Sequence, residues 1–124
     1  MLGGAIAEPK VIDTYANQTD LAATLLNQMG LPTDEFSFSK DILNPCVPHY
    51  AFYTFNNGFG FIDESGVSVY DNEGNKILVE EPESGNETRL EKGKVLLQTL
   101  YDDWESITTD IKKADLHKPA FYLY

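Results

Sequence analysis

Three chain reversals at nearly even spacing constrain this sequence more than any other feature. Asn56-Asn57-Gly58, Glu64-Ser65-Gly66 and Asp71-Asn72-Glu73-Gly74 punctuate residues 49–80. Asn and Gly tolerate positive φ, and Asp and Ser hydrogen-bond their own backbone, so each cluster is a place where an extended chain turns back. Between them lie aromatic and β-prone runs: 49–55, 59–63, 67–70 and 76–80. Turns every eight to ten residues or so leave room only for short strands joined by tight connections. The expectation is an antiparallel meander of four strands.

Such a meander would expose many aromatic rings unless another layer covers it. Residues 88–113 supply the layer. Leu90, Leu97, Trp104 and Ile111 recur every seventh position, and Gly93, Leu100 and Ile107 fill a second seam, giving one continuous apolar helical face. Gly93 costs up to ~1 kcal/mol relative to Ala in a helix, so its presence implies close approach to the sheet. Glu91, Lys92, Asp102, Asp103 and Glu105 form the polar side. Residues 81–87, acidic and holding Pro82, Ser84 and Gly85, read as a solvated connection. Residues 114–124 read as a tail that is aromatic after Pro119. An edge strand, a surface-docked segment and disorder all remain open for it.

Ahead of the meander, Leu21, Leu25 and Met29 fall at i, i+4 and i+8 with Leu26 beside them, marking a first amphipathic helix. Asn17 or Thr19 is its expected cap, Asp20 suits the positive end of its dipole, and Gly30 then Pro32 ends it. Met1-Leu2-Gly3-Gly4-Ala5-Ile6 reads as the tail of a buried strand followed by a turn. Pro32, Pro45 and Pro48 make residues 32–48 an irregular connection. The expected organisation is α+β: helix, four-stranded antiparallel meander, long C-terminal covering helix. Its boundaries are 1–44 for a remnant of a larger core, 45–113 for the sheet and helix, and 114–124 for the tail.

Nine basic residues against twenty acidic ones give a formal charge of −11 among 124 residues. That charge repels phosphate backbones and anionic headgroups, so nucleic acid and direct membrane contact are not expected partners. One cysteine, Cys46, excludes an internal disulfide or a multi-cysteine metal site, and its place between prolines reads as a structural thiol. His49 and His117 are far apart, and no metal-ligand spacing or phosphate loop is present. Asp63 and Asp71 adjoin turns, where Asp caps backbone. From the residues alone, no catalytic, cofactor-binding or metal-binding residue can be named.

Asn17-Gln18-Thr19-Asp20-Leu21-Ala22-Ala23-Thr24-Leu25-Leu26-Asn27-Gln28-Met29-Gly30-Leu31 resembles a late helix of the sulfatase and alkaline-phosphatase superfamily. Leu2-Gly3-Gly4-Ala5 is similar to the end of the strand before it, and Phe38-Ser39-Lys40-Asp41-Ile42-Leu43 to the segment after it. Asn44-Pro45-Cys46, continuing to Phe59-Gly60-Phe61-Ile62-Asp63, resembles the lipoteichoic-acid-synthase-like, phosphoglycerol-transferase branch. So do Arg89-Leu90-Glu91-Lys92-Gly93-Lys94 and Leu100-Tyr101-Asp102-Asp103. The likeness covers roughly residues 2–104 and rests on structural motifs.

The resemblance implies a C-terminal portion of a larger enzyme of sulfate or phosphate esters. A divalent metal (Mn, Mg, Ca or Zn) and a Thr, Ser or formylglycine nucleophile would lie in the preceding domain, with none of them in this chain. Lys40, His49, Tyr50 and Asn57 would be the residues facing the parent's cleft. The rest of the catalytic domain would be the partner, with homo-oligomerisation as another way to cover the first helix. The parent would sit on the extracytoplasmic face of a bacterial inner membrane, and the isolated segment would be soluble. The alternative is a stand-alone acidic protein-interaction module. The fate of Leu21, Leu25 and Met29 separates the two readings.

Overall fold

The computed structural model describes residue 4 and residues 6–116. In chain order its elements are α1 (Asp20–Gln28), β1 (Tyr50–Phe55), β2 (Gly58–Asp63), β3 (Gly66–Asp71), β4 (Lys76–Glu81) and α2 (Asn86–Leu116). The strands form one antiparallel sheet in the order β1-β2-β3-β4. This is the α+β arrangement that the turn spacing implies. The expected opening strand falls largely outside the described residues, as does the tail beyond residue 116.

Register sorts the side chains onto two faces. Phe52 opposes Phe61, Thr54 opposes Phe59, and Phe59 and Phe61 oppose Tyr70 and Ser68. These residues share the face under α2. Their rings meet in a chain, Phe52 with Phe59 at 5.8 Å and Phe59 with Tyr70 at 5.9 Å between centroids. Phe59, Phe61 and Tyr70 are buried and, with Val69 and the α1 residue Ala23, make up the apolar core. Gly93 brings α2 onto this layer, since a Cβ there would fall inside the Phe59 ring. The opposite face carries Tyr53 across from Gly60 and Phe55 across from Gly58, each ring filling the space over its glycine.

The centre of the interface is polar. Arg89 is fully buried, and β3 supplies Ser68 directly beneath it. Its Nε donates to Ser68 Oγ at 2.8 Å and its Nη1 to the Ser65 carbonyl at 3.0 Å. Nη2 donates to the Pro82 carbonyl at 2.5 Å, and Nη1 also reaches the Ser84 carbonyl at 3.3 Å. The guanidinium's planar fork satisfies several acceptors at once, which an ammonium cannot do in the same geometry. The 81–87 connection is therefore not merely solvated: two of its carbonyls are tied to this buried cation.

α2 is longer than the sheet it covers. Its 31 residues span about 46 Å at 1.5 Å per residue, against about 20 Å for a six-residue strand. Leu90, Leu97 and Leu100 are half-buried, whereas Trp104, Ile107 and Ile111 on the same heptad seam are exposed, Trp104 to 66%. The expected continuous cover is real only over the first half of the helix. No helix among the described residues is long and apolar enough to cross a membrane.

Candidate functional site

Asp20 begins α1 and is fully buried. Neither expected cap forms, because Thr19 makes no side-chain cap and the Asn17 amide oxygen accepts from Phe52 N at 2.6 Å. That bond ties the helix start to the outer edge of β1. The Asp20 carboxylate instead accepts from Asn17 N at 2.7 Å and Lys40 N at 3.0 Å. It also accepts from Lys40 Nζ at 2.9 and 2.8 Å. Lys40 Nζ lies 3.9 Å from the centroid of the Tyr50 ring. One ammonium thus joins α1, the connection and β1 through an ion pair and a cation–π contact.

Further polar bonds hold the same side of α1. Thr24 Oγ1 donates to the Asp20 carbonyl at 2.7 Å and accepts from Ile42 N at 3.0 Å. Ser39 Oγ donates to the Thr19 carbonyl at 2.7 Å and accepts from Ala23 N at 2.8 Å. At about 100° per residue, Asp20, Thr24 and Asn27 lie on one side of the helix, and Leu21, Leu25 and Met29 on the other. Asp20, Ala23 and Thr24 are buried against the body of the chain, Leu25 is half-buried, and Leu21 is 46% and Met29 61% exposed. The helix thus buries a carboxylate and a hydroxyl while leaving Leu21 and Met29 at the surface.

Beside this clamp, an open cleft of about 760 Å³ runs between the proline-rich connection, β1–β2 and α2. Pro48, His49, Tyr50, Phe61, Asp63 and Lys92 contribute to its walls. Tyr50 stacks on Phe61 at 5.3 Å between centroids. Burial, and then the charge of Asp20, pushes the Tyr50 phenol above its ordinary pKa, so the hydroxyl stays protonated at neutral pH. Burial also pushes the Asp63 carboxyl up. Hydrogen bonds from the Ser65 side chain and backbone, with Lys92 at 3.3 Å, outweigh that and hold it below the usual carboxylate value.

Lys40, His49 and Tyr50 therefore come together at one end of the sheet. His49 Nε2 lies 3.3 Å from the Asn44 carbonyl. Asn57 is at the other end of β1, donating to Glu73 Oε2 at 2.5 Å. Lys40 is held in its ion pair with Asp20. Cys46 is a free, exposed thiol. Asp63 and Asp71 do cap turns, accepting from Ser65 N and from Glu73 N. Sequence reasoning missed the burial of Asp20 and Arg89. The signal for Asp20 was the placement of Asp20, Thr24 and Asn27 on one helical side. Arg89 carried no comparable signal.

Among the described residues, no three His, Cys, Asp or Glu side chains gather as a metal site. Comparison of the chain with family models, curated proteins and solved structures returns no match.

Proposed function

We propose that this chain is the non-catalytic C-terminal portion of a metal-dependent sulfatase-like or phosphoglycerol-transferase-like enzyme acting on sulfate or phosphate esters. The observation that carries the reading is α1. Its Asp20 and Thr24 are satisfied by the chain's own residues, while Leu21 and Met29 stay exposed and Leu25 is only half-buried. In this reading, Leu21, Leu25 and Met29 seat on the catalytic domain, which also holds the nucleophile and the divalent metal. In this reading the chain supplies neither a metal ligand nor a nucleophile. Its part is to brace the catalytic domain from the sheet side through the Asp20–Lys40–Tyr50 clamp. Lys40, His49 and Tyr50 border the parent's cleft, and the parent lies on the extracytoplasmic face of the inner membrane.

The test is the mass and location of the native polypeptide, read with an antibody against residues 50–100 followed by mass spectrometry. The expected result is a much larger product in the membrane fraction. A product of 13.9 kDa would overturn the reading and favour the stand-alone acidic interaction module.

A further inference from the structure

The end of the sheet away from the clamp carries a groove that the proposed function does not use. It lies between the β1–β2 turn, the β3–β4 turn and the stretch of α2 from Leu97 to Tyr101. Two adjoining cavities of about 340 and 460 Å³ make it up, and they share Asn72 and Tyr101. We propose that this groove binds a neutral saccharide.

The amides come first. Asn56, Asn57, Asn72 and Asn75 come from the two turns and Gln98 from α2. Asn in a turn is ordinarily explained by positive φ or by capping of the local backbone. Only Asn75 has positive φ, at 48°. The β3–β4 turn is capped by Asp71, whose Oδ1 accepts from Glu73 N at 3.0 Å and Gly74 N at 3.2 Å. Asn56 and Asn72 are exposed, and their side chains hydrogen-bond to no described residue. Two amides therefore stand at the groove without a structural task. Each offers a donor and an acceptor side by side, which matches the paired donor–acceptor character of neighbouring sugar hydroxyls.

The aromatic rings come second. Tyr101 is 60% exposed on α2 and lines both cavities, while Phe55 flanks one and Tyr70 the other. The face of an aromatic ring is electron-rich, and the C–H face of a pyranose is its natural partner. Charge comes third. Glu73 is engaged by Asn57, and Lys94 lies over Tyr70 at 4.4 Å from the ring centroid. One carboxylate and one ammonium give the groove no excess of positive charge, and the chain carries −11 overall, which favours an uncharged ligand over a phosphate or a carboxylate. A few convergent polar groups beside aromatic walls are the usual make-up of a small-molecule site.

The test titrates the full chain, isotopically labelled, with cellohexaose, mannohexaose, xylohexaose and N-acetylchitohexaose, each to about 10 mM, a range that captures even millimolar dissociation constants. The expected result is saturable movement of the amide resonances of 56–57, 72–75 and 98–101 with at least one oligosaccharide. Tyr101→Ala should weaken that binding about tenfold through loss of the stacking ring. Asn72→Ala should weaken it about threefold or more through loss of a hydrogen bond. Val95→Ala, on the other cleft, should change it less than about twofold. Both Tyr101 and Asn72 are exposed, so the variants should keep the wild-type melting curve. The proposal is overturned if none of the four sugars moves those resonances, if the shifts centre on the His49–Asp63 cleft, or if Tyr101→Ala leaves affinity unchanged.

Discussion

Helices α1 and α2 are fastened by opposite means, α1 to the connection that precedes the sheet and α2 to the sheet itself. α1 turns the Thr24 hydroxyl and the Asp20 carboxylate towards the chain and leaves Leu21 and Met29 exposed. The first half of α2 does the reverse, pressing Gly93 and half-buried leucines onto Phe59 and the neighbouring rings. Around the buried Arg89 that apolar layer closes on itself. The surroundings of α1 do not close. Burial of apolar surface is non-directional, so an apolar layer is complete only when both of its sides are present. Hydrogen bonds and ion pairs are directional and can fasten a helix by one side while its apolar side waits for a partner.

The strongest way to break this contrast is to remove the polar centre of the apolar layer. Arg89→Met should destabilise the chain by about 3–5 kcal/mol, because several buried acceptors lose their donor together. Urea denaturation measures this. Arg89→Lys should recover only part of it, since the ammonium cannot reproduce the fork.

Next comes the clamp under α1. Asp20→Ala strands Lys40 against Tyr50 and should cost about 3 kcal/mol, the lower end for breaking a buried pair. Hydrogen exchange should show the loss concentrated in residues 17–29, with the sheet still protected. Equal loss of protection in β2 and β3 would mean that the two helices are not independently attached.

Gly93→Ala should cost about 1–3 kcal/mol through overpacking against Phe59. Phe59→Leu in the same chain should return part of that, and a double-mutant cycle by thermal melting reads the coupling.

A smaller effect is expected from acid. The Asp63 carboxyl titrates below its ordinary value in the folded chain. Its contribution is therefore present above the unfolded carboxyl pKa of about 3.9 and lost as the pH falls through the folded value. Asp63→Asn should flatten the stability profile there. The change should be small, because Lys92 is mostly exposed.

The smallest effect belongs to the open side of α1. The double variant Leu21→Ser, Met29→Ser should shift the isolated chain's stability by no more than ~0.5 kcal/mol. A loss of several kcal/mol would show that the chain itself covers those side chains, and the contrast between the helices would collapse.

Much of the architecture was legible in the residues. Asn57-Gly58, Ser65-Gly66 and Gly74 mark the reversals, Gly93 marks the contact with the sheet, and Gly30, at φ 69°, ends α1 as its place after the apolar stripe implied. The site was less legible. Lys40, His49 and Tyr50 converge, yet Asn57 sits a full strand away, because the whole of β1 separates it from His49 and an extended chain advances about 3.3 Å per residue.

What the sequence determines by itself is periodic: which residues alternate along strands, which share a helical side, and where the chain must reverse. These follow from local backbone geometry and need no knowledge of what lies across the interface. What only the tertiary structure decides is orientation. It turns the Asp20 side of α1 inward, buries Arg89 over Ser68 and ends the sheet's cover near Tyr101, so that Trp104 and Ile111 project beyond it. Periodicity defines faces, but burial depends on the opposing surface, and that surface is assembled from residues remote in sequence.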